Sequence, residues 1–399
     1  MIQRKEYLDK LIAWKDKQII KVVTGVRRCG KSTLFQLYID YLKAQGVSGG
    51  QIININLEDA ENEALLDYKA LHEHIKSRLC EDKINYVFID EIQQCKYFEK
   101  TADSLFIKKN VDLYITGSNA YILSGELATL LSGRYITIDM LPLSFKEYCG
   151  FTGAADIKSK FNEYLTFGSF PYTAGLNKDF YVVKPYIEGI YNTILIKDVA
   201  KREKISDITL LENIIKFLCS NIGCICSVKK IADTLNSFGR KISVNTVENY
   251  IRALTDSYIF YKADRYDIKG KQHLKTQSKY YIVDTGIKYM LLSNIENDTG
   301  HILENIVYLE LLRRNYKVNI GKLAEKEIDF VALGYNSVIY YQVAASALDP
   351  KTLERELEPL KKIPDHFPKY LLTLDDLPET NYNGIKRINV IDFLLNNSK

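Results

Sequence analysis

Along the first third of the chain the apolar positions come in short unbroken runs. Gln18-Ile19-Ile20-Lys21-Val22-Val23-Thr24, Asn85-Tyr86-Val87-Phe88-Ile89-Asp90 and Val111-Asp112-Leu113-Tyr114-Ile115-Thr116 are brief and rich in β-branched or aromatic residues, as expected of strands buried on both faces of a parallel sheet. Between them, stretches such as Thr33-Leu34-Phe35-Gln36-Leu37-Tyr38-Ile39 repeat apolar residues at helical spacing. Strand and helix in alternation predict an α/β, doubly wound parallel sheet with its ligand site at the strand C-termini. From about Tyr186 to Leu218 the spacing is helical and almost free of Gly and Pro, which predicts a helical linker or lid region. Two shorter helical patterns follow, Ser227 to Leu235 and Ser243 to Leu254. Each opens on a Ser suited to N-capping, and a turn at Phe238-Gly239-Arg240 separates them, a helix-turn-helix pattern. Ile259 to Lys262 and Lys279 to Asp284 read as two strands joined by a basic loop, the wing of a winged helix. An amphipathic helix from His301 to Leu311 then precedes strand-like segments at Tyr316–Ile320, Glu327–Ala332 and Ser337–Ala344.

A chain of 399 residues exceeds what one hydrophobic core usually supports. The patterns divide it into 1–150, 151–220, 221–295 and 296–399. Composition, 46% hydrophobic and 26% charged, is that of a globular protein. No apolar run approaches the roughly eighteen residues of a membrane span, and the N-terminus turns polar at once, so a cytoplasmic protein without a membrane partner is expected. The seven Cys are scattered, with only Cys224 and Cys226 close together, which predicts free thiols rather than a disulfide framework. A net charge of +4 is too small to imply nucleic acid by itself.

The chemistry lies first in Gly25-Val26-Arg27-Arg28-Cys29-Gly30-Lys31-Ser32-Thr33, placed between strand and helix as a Walker A loop requires. Its glycines let backbone N–H groups close around a phosphate, and the helix N-terminus faces the same anion. Lys31 would neutralise the β- and γ-phosphates of ATP and the Ser32 hydroxyl would enter the Mg²⁺ shell. Arg27 and Arg28 stand at variable positions of the motif and are expected to meet solvent or a partner. The strand ending in Asp90-Glu91 has the form of a Walker B segment: Asp90 would hold Mg²⁺ and Glu91 would polarise the attacking water. Asn119, or Ser118 before it, follows the next strand, where a polar side chain could orient that water or serve as a turn residue. Arg134 could stabilise transition-state charge in cis or in a neighbouring subunit, or form a surface salt bridge.

These segments, with Arg4-Lys5-Glu6-Tyr7-Leu8, Ile89-Asp90-Glu91-Ile92-Gln93, Leu131-Ser132-Gly133-Arg134, Leu141 to Glu147, Gly168-Ser169-Phe170-Pro171 and Ile196-Lys197-Asp198-Val199, resemble prokaryotic AAA-like ATPases of the AAA-14 family that carry a C-terminal DUF4143 domain. The resemblance spans nearly the whole chain and implies that Lys31, Ser32, Asp90, Glu91, Asn119 and Arg134 carry the nucleotide chemistry. In the middle, Lys262, Arg265, Lys269, Lys271, Lys275 and Lys279 are opposed only by Asp264 and Asp267. Beside a helix bearing Asn245, Asn249 and Arg252, such a wing could contact double-stranded DNA or serve a protein partner or homo-oligomer. The last segments resemble the PD-(D/E)xK nuclease fold, Glu304 and Asp329 matching two acidic positions. Gln342-Val343-Ala344 stands where Glu-x-Lys is needed, so the reading favours a domain without nuclease activity. Three functions follow: an ATPase whose nucleotide state controls the winged-helix and C-terminal domains, an ATP-gated DNA-binding or defence-type protein, and, less supported, an ATP-dependent nuclease.

Overall fold

A computed structural model describes residues 2–120, 133–153, 156–201, 203, 205–237, 239, 242–292 and 298–395. The turn expected at Phe238-Gly239-Arg240 therefore lies partly outside the described residues, as do Leu131 and Ser132 and the side chain of Lys275. The chain divides into two compact units, residues 1–142 with 256–258, and residues 143–255 with 259–399.

The first unit is built on five strands, β1 (Ile20–Thr24), β2 (Ile52–Asn56), β3 (Asn85–Asp90), β4 (Val111–Gly117) and β5 (Tyr135–Asp139). They form one sheet in the order β2-β3-β4-β1-β5, every pairing parallel. Every residue of β1, β3 and β4 is buried, whereas β2 and β5 alternate. The unbroken apolar runs are thus the three central strands and the weaker patterns are the edges, as burial on both faces demands. Val22, Val87, Ile89, Leu113 and Ile115 pack with Leu71, Ile75 and Leu105 from the covering helices. Lys21 is the exception: it is fully buried in β1 and ion-paired with Asp112 of β4, whose other oxygen accepts from Tyr114 at 2.7 Å. A buried cation in a central strand is sustained by that carboxylate.

The second unit opens with helices at Phe145–Thr152, Ile157–Phe167 and Phe180–Thr193, the last continuing as a π-helical stretch, Ile194–Ala200. Helices Ile208–Ser220, Val228–Ser237 and Val244–Asp256 follow. Eight strands complete it: β6 (Phe260–Asp267), β7 (Gln272–Ile282), β8 (Lys317–Leu323), β9 (Lys326–Leu333), β10 (Val338–Val343), β11 (Lys369–Thr373), β12 (Thr380–Tyr382) and β13 (Ile385–Asn389). They make a single sheet ordered β12-β13-β11-β10-β9-β8-β6-β7.

This corrects the expected division near residue 295. The hairpin β6–β7, read as a wing, is not free-standing: β6 hydrogen-bonds in parallel to β8, with Arg265 opposite Ile320. The hairpin is the edge of the C-terminal sheet, and the helix pair before it shares a unit with strands expected to form a separate domain.

Candidate nucleotide site

The loop from Gly25 to Lys31 leaves β1 and turns into helix Lys31–Ala44. Gly25 (φ 146°) and Gly30 (φ 104°) occupy backbone regions that side chains rarely enter. A Cβ on Gly25 would also run into the carbonyl of Met140. Lys31 is buried, its Nζ donating to the carbonyls of Gly25 (3.0 Å) and Val26 (3.3 Å) and lying 3.6 Å from a Glu91 carboxylate oxygen. The Ser32 hydroxyl hydrogen-bonds the Asp90 carboxylate. Parallel pairing of β1, β4 and β3 brings the ends of all three strands to one edge, so Walker A, Walker B and the polar turn after β4 meet there.

The two acids are held differently. Burial pushes the Asp90 carboxyl above its ordinary value, and hydrogen bonds from Ser32 and Thr116 only partly offset this. Burial acts on Glu91 too, but Lys31 and Arg27, with hydrogen bonds from Gln93 and Ser118, outweigh it and leave Glu91 below the usual carboxylate range. Glu91 therefore stays ionised at neutral pH. Its backbone sits in the left-handed region (φ 54°), a conformation costing a non-glycine residue about 1–3 kcal/mol. The Glu91 N–H donates to Thr116 Oγ1 at 2.9 Å, and the same hydroxyl donates to Asp90. Ser118 donates to Glu91 Oε2 at 3.0 Å, as does Gln93. Thr116 and Gln93 stand within the sequence motifs, but nothing in the sequence gives them this role. Between the two residues considered after β4, Ser118 makes the contact with Glu91, and Asn119 is buried next to it in the chain.

Arg27 departs from expectation, and Arg134 forms the surface salt bridge that was one of its expected alternatives. Arg27 is buried and paired with Glu58 at 2.6 Å rather than facing solvent; Arg28 is exposed, with φ 68°. Arg134 immediately precedes β5, whose first residue pairs with Ile20 at the start of β1. That register places it at the opposite end of the strands from the Walker A loop, in an ion pair with Asp103 and over the Phe106 ring at 5.5 Å. A contribution in cis is not what this geometry offers.

Arg4 is a further residue of the site. It is buried, and donates from Nη1 to the Cys29 carbonyl (2.9 Å) and from Nη2 to the Leu141 carbonyl (2.5 Å). One guanidinium thus ties the Walker A loop to the chain following β5. Hydrogen bonds from a charged group are each worth about 1.5–3 kcal/mol, so Arg4→Ala should loosen the loop and weaken ATP binding at least about tenfold. Arg4→Lys should recover little, because an ammonium lacks the fork that spans two acceptors. Equal ATP affinity of wild type and Arg4→Ala in a calorimetric titration would remove Arg4 from this role.

In the second unit Glu304 and Asp329 lie around a residue the sequence pattern put elsewhere. Lys279, counted among the basic residues of the wing, is buried in β7, 2.8 Å from Glu304, 2.7 Å from Glu327 and 3.8 Å from Asp329. Tyr281 also donates to Glu304. Gln342, where the resemblance would need an acid, donates to Glu356 at 3.0 Å. Among the described residues, no group of three or more His, Cys, Asp or Glu side chains has the arrangement of a metal site.

The Walker A loop, the acids at the end of the neighbouring strand and the parallel sheet that aligns them define a P-loop nucleotide-binding domain of the AAA type. Residues 17–149 match the AAA domain AAA_14, and residues 158–298 match a domain of unknown function, DUF8612. The latter corrects the DUF4143 assignment. An uncharacterized protein of Haemophilus influenzae is 40% identical over 404 residues, covering 99% of each chain. An uncharacterized protein of Methanocaldococcus jannaschii is 32% identical over 371 residues, covering 86% of this chain and 78% of its own. The chain belongs to the family of these two proteins and carries an AAA domain over residues 17–149. Among solved structures, a Walker-type ATPase of Pyrococcus abyssi aligns with a TM-score of 0.50 at 15% identity, over 73% of this chain and 96% of that one, a likeness of fold. No described helix is long and apolar enough to cross a membrane.

Proposed function

We propose that the chain binds MgATP and hydrolyses it, and that its nucleotide state governs what the second unit can bind. The observation carrying this reading is the ionised Glu91, fixed by Thr116, Ser118 and Gln93 beside Lys31. Lys31 would exchange the loop carbonyls for phosphate oxygens, and Glu91 would orient and deprotonate water. Ser32 and Asp90 present the hard oxygen donors that suit Mg²⁺. Bound there, Mg²⁺ would neutralise charge on the phosphates. Asn119 would support the polar turn that meets the γ-phosphate. Arg134 would act only in trans, giving up Asp103 for a neighbour's nucleotide. Phosphate release from MgATP by the full-length chain, abolished by chelating Mg²⁺, is expected. Binding without release would reduce the reading to a nucleotide-dependent switch.

A second reading, double-stranded DNA as the partner, is favoured by helix Val244–Asp256. It buries Val247, Ile251 and Leu254 while leaving Asn245, Asn249 and Arg252 exposed, the residue types that read bases and phosphates from a major-groove helix. Labelled duplex should bind more weakly as salt rises from about 50 to 200 mM, and Arg252→Ala should reduce affinity. No salt-sensitive binding with or without ATP would discard DNA in favour of a protein partner. Nuclease activity is not part of the proposal, because the Lys279 ammonium already neutralises the acids that would hold a metal ion.

A further inference from the structure

Helix Thr299–Arg313 places His301 in its first turn, with Asp298 at its N-cap. Asp298 Oδ1 lies 2.6 Å from His301 Nδ1, and Asp298 also pairs with Lys288. The other ring nitrogen, Nε2, faces the Cys224 thiol at 3.8 Å. A thiol, an imidazole and a carboxylate thus stand in the order in which a nucleophile is activated by a base that a third group orients. Gly223 eases the approach: its φ of 72° favours glycine, and a Cβ there would stand a tight 3.1 Å from both Glu304 Oε2 and His301 Cδ2. Cys224 remains partly exposed, while Cys226 is buried.

Electrostatics point the same way. The hydrogen bond that His301 donates to Asp298 raises His301 to about 10, Cys224 adding to the effect, so the imidazole is protonated at neutral pH. Cys224 is lowered, first by His301 and further by Lys279, against burial and Glu304. Cys29, Cys95, Cys149, Cys219 and Cys226 are all pushed the other way by burial.

We propose that Cys224, with His301 and Asp298, is a covalent modification site that takes low-molecular-weight disulfides. The Cys224 thiolate attacks one sulfur of the disulfide; that S–S bond breaks as a new one forms to Cys224 Sγ. The departing thiolate leaves for solvent, where it takes a proton from water or buffer, and the His301 imidazolium stays paired with Asp298, leaving a mixed disulfide and a free thiol. Charge and atoms balance with the disulfide as the only oxidant. A second thiol reverses the step, so the site would report the thiol–disulfide balance around the protein.

The test uses the full-length chain with a limiting amount of 4,4′-dithiodipyridine at about pH 6.5, followed by peptide mapping. Cys80 is the other partly exposed thiol and serves as internal competitor. Cys224 should be labelled at least about tenfold ahead of Cys80, since a lowered pKa raises the thiolate fraction more than it lowers nucleophilicity. His301→Gln should erase the lead. Equal labelling of the two thiols in wild type, or a lead that survives His301→Gln, overturns the proposal. Should His301→Gln not fold, the wild-type comparison at about pH 9 decides. There ordinary thiols ionise and the lead must shrink; a constant lead overturns it.

Discussion

Lys31→Ala should bind no MgATP at concentrations that saturate wild type, whereas Glu91→Gln should bind normally and turn over about 10²–10⁴-fold more slowly. The contrast follows from what each side chain touches. Lys31 is the buried cation within reach of the loop carbonyls that line the phosphate position, so its loss removes ground-state binding. Glu91, beside Lys31, would act on water rather than hold the phosphates, and its amide replacement keeps the shape while abolishing the base. Because Lys31 and Arg27 hold Glu91 below the ordinary carboxylate range, wild-type turnover should not decline on mild acidification for want of this base. Steady-state hydrolysis and nucleotide binding on the same three samples check all of this. A Glu91→Gln variant that turns over like wild type would assign the base elsewhere.

Lys279→Met should destabilise the second unit by about 3–5 kcal/mol, the usual result of removing one partner from a buried ion pair. Glu304, Glu327 and Asp329 would then face one another without a cation. Asp329 is already pushed up to about 8, first by burial and then by Glu304, with Lys279 opposing. Its folded pKa lies above its unfolded value, so its stabilising contribution is full below the ordinary carboxylate range and is lost as pH rises through about 8. The loss should be larger and reach higher pH in Lys279→Met, where the Val343 N–H, donating to Asp329 at 2.8 Å, is left to favour the ionised form without the ammonium. Adding Asp329→Asn to Lys279→Met should recover part of the stability. Urea unfolding of the second unit at about pH 5 and pH 8 measures both effects; an unchanged midpoint for Lys279→Met would mean that the ammonium is not the neutralising charge.

Legibility in the sequence tracked the range over which the chemistry is written. Lys31 and Ser32 lie next to each other, as do Asp90 and Glu91, and each pair follows a strand that its own apolar run announces. Ser118 could be found because it ends a strand, but Thr116, which bonds to both acids, looks like one more β-branched residue of β4. Arg4 appeared only as part of a resemblance, since its partners Cys29 and Leu141 are distant in the chain. Lys279 was misread for the same reason: counting charges along β7 gives a basic wing, and only the fold shows three carboxylates around it. Cys224 and Cys226 drew notice by their spacing, yet the partner that matters for Cys224 is His301, 77 residues away. For Arg134 the sequence leaves a nucleotide role and a surface salt bridge both open; the register that starts β5 beside Ile20 puts it at the end away from the Walker A loop, in the salt bridge with Asp103.

The parallel pairing of β6 with β8 has a consequence for biosynthesis. Residues Arg265 to Asp267 find their partners at Ile320 to Lys322, and the sheet then extends through strands drawn from nearly the end of the chain. While the ribosome is still translating the segment between them, the β6–β7 hairpin would present an unpaired edge, the kind of surface that recruits other strands. Lys262 and Asp264 face each other along that edge at 2.9 Å, and such charges discourage stray pairing. The first unit's sheet, by contrast, is complete once β5 has emerged, so a nascent chain could acquire its nucleotide-binding half well before its other half has a core.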